Sequence, residues 1–395
     1  MTVRRRSARV LLALSAAALF AACGGESLGG SGAGGDEGGA TIKVGLLVSQ
    51  SGVYSSVGKD MENGLRFYLD QNGGELGGKK VELVTIDEGE TPQTGVAGVT
   101  RLVQQEQVDV VVGVTAGPTA IGGRDILDAS QVPAIMGNTG AVDLAEDLAS
   151  DWIWRASYDN RDPGRALGET LAQDGSKEKF YLIGADYSGG HETLDGFKET
   201  FPADLIAGEI YTPFGTTTDF STYLSKIRAS GAQNVFSFYA GGEAIEFTKQ
   251  FKQFGLGDSI KLYSAGFLTE GAALAAEGDA ALGVFNSTRY NWDLDNPQNQ
   301  EFAPAYEEEF QTVPTVYAAT MYDVGAILDK ALDSIEGDVS RESINEALEG
   351  VGTVKGVRGD LEFDDNRTVV QGFYLTEVKK TDQGLRNVTI DTLTD

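Results

Sequence analysis

Residues Thr41–Asp70 set a pattern that the rest of the chain repeats. Ile42, Val44, Leu46, Leu47 and Val48 form a compact, β-branched-rich run, the pattern of a strand buried on both faces. Gln50–Gly58 interrupts it with small and polar residues around Tyr54. From Asp60 onward Met61, Leu65, Tyr68 and Leu69 recur at helical spacing, while Glu62, Arg66 and Asp70 take the opposite face. The unit is a strand, a polar loop and a helix. In an open α/β sheet, the loop leaving a strand's carboxyl end is where ligands are met.

The same rhythm continues. Lys80–Asp87 reads as a strand and Pro92–Glu106 as a helix with Val96, Val99, Leu102 and Val103 on its apolar side. Asp109–Val112 is a short buried strand followed by the loop Val114–Thr119, and Ala120–Ser130 is a helix. Val132–Met136 is a strand that ends in Gly137–Gly140, and Trp152–Arg155 is one more. A second series begins after Tyr158. Pro163 opens a helix to about Gln173, and strands at Phe180–Ile183, Leu205–Tyr211, Asn234–Tyr239 and Lys261–Ser264 alternate with helices. Strands alternating with helices predict parallel sheets with right-handed crossovers. After a strand at Gly283–Asn286 the period turns helical over Glu301–Phe310, Val316–Leu332 and Ser340–Glu349. Two short strands, Asp360–Phe363 and Gly372–Val378, follow.

Two series of similar size in 395 residues predict two doubly wound lobes sharing a cleft. The first forty residues stand apart. Met1–Ala22 is Arg-rich and then apolar, too short to span a membrane, and has the anatomy of a secretion signal. Ala21, Ala22 and Cys23 resemble a bacterial lipoprotein box, with Phe20 where that pattern usually has Leu. Cys23 is the only cysteine, so the fold takes nothing from disulfides, and it is the position a lipid would modify. Gly24–Gly39 holds nine glycines in sixteen residues and reads as a flexible tether, with a reach of roughly 20–25 Å. The alternative is an ordinary cleaved signal with an incidental cysteine.

The net charge is −28, and removing the leader's four arginines leaves 27 cations against 59 anions, a net −32. Such a chain is expected to avoid nucleic acid and anionic headgroups. His191 is the only histidine, which excludes a multi-His zinc site. GPTAIGGRD lacks the lysine of a phosphate loop. Asp293 and Asp295 hint at calcium, but Pro297 and the missing loop glycine argue against an EF-hand. No cofactor is implied.

KVGLLVSQSGVYSSVGKDMENG, VDVVVGVTAGPTA, PAIMGNTGA and DLEFDDNRTVVQGFYLTEV, in this order behind such a leader, resemble the extracytoplasmic solute-binding proteins of the branched-chain-amino-acid type. These are the receptors of ABC importers. The resemblance implies an α/β type I periplasmic-binding fold, with two lobes joined by three crossings that close over a solute. It implies lobe 1 at 41–155 and 287–353, and lobe 2 at 156–286 and 354–395. By position, lobe 1 would offer Tyr54, the loop with Thr115, Ala116, Gly117 and Thr119, and Asn138, Thr139 and Gly140. Backbone N–H groups and the Thr115, Thr119 and Thr139 hydroxyls would meet a carboxylate there. Lobe 2 would offer Tyr158, Tyr187, Tyr239, Gly241 and Phe267.

Relatives that bind amino acids often hold the ammonium with an acid in the loop that here reads SAGFLTEG, where Gly266 and Phe267 stand instead. An unmatched ammonium in a dry cleft is costly, so the sequence leans toward aromatic or other organic carboxylates, with Asp186 and Glu243 as alternative countercharges. Each tyrosine also has an ordinary core reading, strongest for Tyr239. Thr139 reads equally well as turn chemistry with Asn138 and Gly140, and Thr115 as the end of its strand. The implied function is non-enzymatic: a monomer on the outer face of the cell membrane that hands a small carboxylate to an ABC permease. A sensor of the same build reporting to a membrane kinase, and a secreted hydrolase using a carboxylate pair, are the competing readings.

Overall fold

The computed structural model describes residues 41–175 and 177–393. The proposed signal, Cys23 and the tether lie outside the described residues.

The first βα series builds a six-stranded sheet. Its strands are β1 (Thr41–Val48), β2 (Glu75–Leu76), β3 (Lys79–Asp87), β4 (Val110–Gly113), β5 (Ala134–Met136) and β6 (Ile153–Arg155), in the order β2-β3-β1-β4-β5-β6. All neighbours run parallel except β2 against β3. Ile42, Val44, Leu46, Leu47 and Val48 are all buried, as a central strand flanked by helices on both faces requires. The connecting helices are α1 (Ser55–Gln71), α2 (Pro92–Thr100) and α3 (Gly117–Ser130). Thr91 and Thr94 cap α2 reciprocally, and the helix widens into a π turn over Arg101–Gln105. Helix α3 starts three residues earlier than predicted because Pro118 suits a first turn.

The chain then leaves for a second sheet. Helix α4 (Asp162–Gln173) precedes β7 (Phe180–Ala185), α5 (Ser188–Thr200), β8 (Ile206–Thr212), α6 (Ser221–Ser230), β9 (Asn234–Phe238), α7 (Gly241–Gln253), β10 (Lys261–Ser264), α8 (Ala272–Glu277) and β11 (Phe285–Thr288). Helices α9 (Pro297–Phe310), α10 (Val316–Asp333) and α11 (Arg341–Glu349) return to the first lobe. There Phe67 of α1 packs its ring against Phe302, Tyr306 and Phe310 of α9. Arg341 of α11 donates to the Val108 carbonyl.

Strands β12 (Val354–Gly356), β13 (Gly359–Phe363) and β14 (Val369–Val370) form a small antiparallel sheet. Residues 354–370, which the resemblance placed in lobe 2, pack instead on lobe 1. Phe363 meets Trp154 of β6 at 5.0 Å, and the Arg155 N–H donates to the Arg367 carbonyl at 2.7 Å. Only β15 (Phe373–Thr381) and β16 (Gly384–Leu393) cross over, completing the order β16-β15-β11-β10-β9-β7-β8. The polar alternation of β16 hid it from the sequence reading.

Three crossings therefore join the lobes: after β6, at Arg289 after β11, and at Gln371–Gly372. Helix α10 holds them. Asp323 accepts from Arg358 Nε at 2.7 Å and from the Val357 N–H at 2.7 Å, and both side chains are fully buried. Arg358 donates onward to the Ala156 carbonyl of the first crossing at 2.9 Å and to Gln371 Oε1 of the third at 2.5 Å. One turn earlier, Thr320 Oγ1 accepts from Arg289 of the second crossing at 3.2 Å.

Removing one partner of a buried ion pair strands the other charge. Arg358→Met is expected to cost about 3–5 kcal/mol in urea unfolding, with part recovered in the Asp323→Leu/Arg358→Met double variant. A single-variant cost below about 1 kcal/mol would contradict this role.

Candidate functional site

Each sheet has a topological switch point. In the first, the chain starts at β1 and places β3 on one side and β4 on the other; in the second it starts at β7 and places β8 and β9 on either side. Ligands bind outside the strand ends at such points. The two switch points face each other across one cleft. Its cavity is lined by Tyr54 after β1, Thr115–Gly117 after β4, and Asn138 and Thr139 after β5. From the crossing and the second lobe come Tyr158, Asn160, Tyr187, Ser188, Gly189, Phe238, Ala240 and Phe267, and α10 adds Tyr317.

The lobes touch over this cavity. Tyr54 and Tyr187 share a hydroxyl–hydroxyl hydrogen bond of 3.0 Å, and Phe214 stacks on Tyr187 at 4.4 Å and tilts against Tyr54 at 5.8 Å. The Gly242 N–H donates to the Val53 carbonyl at 3.2 Å. Deeper in, Phe267 lies 5.6 Å from Tyr158 and near-parallel to Tyr317 at 5.8 Å. The open space between these rings is about 30 Å³, room for one or two waters.

No charged side chain lines the cavity among the described residues. Asp186 pairs with His191 at 2.7 Å on the surface of lobe 2, and that imidazole stacks on Tyr211. Glu243 is buried beneath the loop before α6, where it accepts from the Gly215 N–H at 2.9 Å; burial pushes its carboxyl up to about 7. Neither alternative countercharge reaches the cavity. Three buried polar atoms that do line it have no protein partner: Asn138 Oδ1, Ser188 Oγ and Tyr317 Oη. Buried polar groups are normally paired, so these are the atoms most open to a ligand.

Nine of the thirteen residues expected at the site line the cavity, and four do not. Thr119 turns away and bonds Glu88. Gly140 serves the first crossing, where its carbonyl accepts from the Asn160 N–H at 2.8 Å and a Cβ would stand 2.5 Å from the Tyr158 carbonyl. Tyr239 belongs to the core of lobe 2, packed on Phe220 and Phe247 with its hydroxyl on Thr212. Gly241, at φ +59°, is an interlobe contact, where a Cβ would sit 2.2 Å from the Val53 carbonyl.

The expected donor set also changes. The Thr115 and Ala116 N–H groups already donate to the buried Glu88 carboxylate at 2.6 and 3.0 Å, and Thr115 Oγ1 accepts from the Ser49 N–H. Burial raises the Glu88 carboxyl against the pull of these hydrogen bonds. That leaves Thr139, Tyr158, Ser188 and Tyr317 as hydroxyl donors. Ser188 and Gly189 were legible as neighbours of Tyr187 at a helix start. Tyr317 was not, because nothing in the period of α10 says that its first turn points into the cleft.

Residues 41–383 match the family described as periplasmic binding protein. The chain belongs to that family. This binding protein is 29% identical over 354 residues to the Leu/Ile/Val-binding protein homolog 6 of Brucella melitensis, covering 87% of this chain and 89% of the relative. It is similar to an ABC-transporter solute-binding protein of R. palustris solved in complex with benzoate. The identity is 31% and the TM-score 0.83, over 90% of this chain and 96% of that one. A solute-binding protein of Rhodopseudomonas palustris BisB5, solved with 3,4-dihydroxybenzoic acid, gives 29% and 0.82 over 89% and 97%. The expected kinship with ABC-importer solute-binding proteins and the expected α/β type I periplasmic-binding fold both hold. Among the described residues no helix is long and apolar enough to cross a membrane.

Glu88 holds the β4–α3 loop through both carboxylate oxygens, and a glutamine has one acceptor for two N–H groups. Glu88→Gln is expected to cost about 1–3 kcal/mol and to speed hydrogen exchange at Thr115 or Ala116. Unchanged exchange at both amides would contradict this role.

Proposed function

We propose that this binding protein captures a small ring-bearing carboxylate in the interlobe cleft and delivers it to an ABC permease. The carrying observation is the lining, made of the Tyr54, Tyr158, Tyr187, Phe238, Phe267 and Tyr317 rings with hydroxyl and amide groups and no acidic side chain. An α-amino acid would bring an ammonium with nothing to neutralise it, at a large desolvation cost. A carboxylate instead finds the hydroxyls of Ser188, Tyr317 and Thr139, and charge-assisted hydrogen bonds of this kind are the stronger class. Asn138 Oδ1 suits a hydroxyl on the ring. Aromatic faces supply apolar area and offset stacking.

The relatives solved with benzoate and 3,4-dihydroxybenzoic acid support this ligand class. With about 30 Å³ open, a ring enters only as Tyr54, Tyr187 and Phe214 part. Contacts from both lobes to the ligand then favour the closed state, so closure is selected by binding. The same lining offers no carboxylate pair, which supports binding without turnover. In this reading the chain works as a monomer on the outer face of the bacterial membrane, with Cys23 as the lipid anchor and Gly24–Gly39 as the tether.

A thermal-shift screen of the purified protein against benzoate, 4-hydroxybenzoate, an aliphatic acid and leucine tests the ligand class. At a hundredfold excess over Kd the true ligand adds about 2.7 kcal/mol of apparent stability. The expected result is a shift with the aromatic acids and none with leucine. A shift with leucine alone would reverse the assignment.

A further inference from the structure

Arg289 lies at the second crossing and is 2% exposed. Its guanidinium carbon sits 4.3 Å from the centre of the Tyr158 ring and 5.8 Å from that of Phe267. Both rings line the cleft cavity. Its one side-chain hydrogen bond runs to Thr320 Oγ1 at 3.2 Å, and its Nε has no partner. No carboxylate forms an ion pair with it among the described residues, whereas the neighbouring buried Arg358 is matched by Asp323 at 2.7 Å. Glu270 is the acid that acts on Arg289. It accepts from the Val316 N–H at the start of α10 and forms no ion pair with Arg289, and burial pushes its carboxyl up to about 8. Burial likewise pulls the Arg289 guanidinium down to about 10, still well above neutral pH. Beside α10, then, Arg358 has an ion-pair partner and Arg289 has none.

A buried cation without a countercharge is costly to keep. The protein as a whole carries −28, a field that opposes any anion entering the cleft. We propose that Arg289, lying directly behind the Tyr158 and Phe267 wall, is the charge that selects anionic ligands in this cleft, completing its electrostatic balance with the bound carboxylate across one ring thickness. It touches no ligand atom; it acts through the Tyr158 face, to which it is held by cation–π attraction. The carboxylate lies on the cavity side of the same ring, where low dielectric carries the attraction further than water would. This rests on the carboxylate reading above and adds the source of its charge selectivity.

Isothermal titration of the intact protein with sodium benzoate and with its neutral isostere benzamide tests it. The wild-type protein is expected to prefer benzoate, and to keep that preference as salt rises, because the charge is buried and poorly screened. Arg289→Met is expected to lose about tenfold in benzoate affinity with little change for benzamide, a charge effect of the size a cation behind one ring exerts. Arg289→Lys is expected to keep most of the preference. A purely structural role would weaken both ligands together, so equal losses in Arg289→Met would overturn this inference alone. Equal wild-type affinity for benzoate and benzamide would overturn it without any variant. No benzoate binding by the wild-type protein would overturn the carboxylate reading along with it.

Discussion

Three residues on one face of α10 organise the molecule. Tyr317, Thr320 and Asp323 follow at three-residue spacing, so their side chains stack along one stripe of the helix. Asp323 secures the first and third crossings through Arg358, Thr320 secures the second through Arg289, and Tyr317 reaches the cavity. A helix of lobe 1 thus fixes every strand of the hinge and one wall of the binding cleft. The fully buried Asp323–Arg358 pair is the constraint that the rest leans on. Its cost in desolvation is offset by the two further hydrogen bonds that Arg358 makes, to Ala156 and Gln371.

From that anchor the cleft follows by topology. Each sheet ends its strands at a switch point, and the hinge turns the two switch points toward each other. What meets there is small and aromatic: threonines, a serine, two asparagines and six rings. The surface is richly acidic, yet the cleft is kept free of acid by giving each nearby carboxyl its own partner. Glu88 takes the Thr115 and Ala116 N–H groups, Glu243 takes Gly215, and Asp186 takes His191. Behind the Tyr158 ring, the Arg289 guanidinium is left without an ion-pair partner.

Much of this was legible in the residues. The run Ile42–Val48 and its successors announced strands buried on both faces, and loop composition after them marked the strand ends that line the cavity. Tyr239 failed as a site residue because the last residues of a strand point alternately to the cleft and to the core, and the sequence does not say which. Gly140 and Gly241 are present for close backbone approach at the crossing and between the lobes, a demand that only the assembled lobes create. Tyr317 and Arg289 were hidden for the opposite reason. Tyr317 reaches the cleft, and Arg289 the wall behind it, from the returning third of the chain, where periodicity reports burial but not which lobe is joined. The same blindness put 354–370 with the second lobe, although Phe363 packs on Trp154 of the first.

The charge-free aromatic cleft between the switch points is the site proposed for the carboxylate. A crystal structure of the protein grown with benzoate tests it most directly. The benzoate ring is expected between Tyr54 or Tyr187 on one side and Tyr158 or Phe267 on the other, with its carboxylate on the Ser188, Tyr317 or Thr139 hydroxyls. Benzoate bound instead in the separate cavity beside Glu270, Trp292 and Arg386, with the switch-point cleft unchanged, would contradict it.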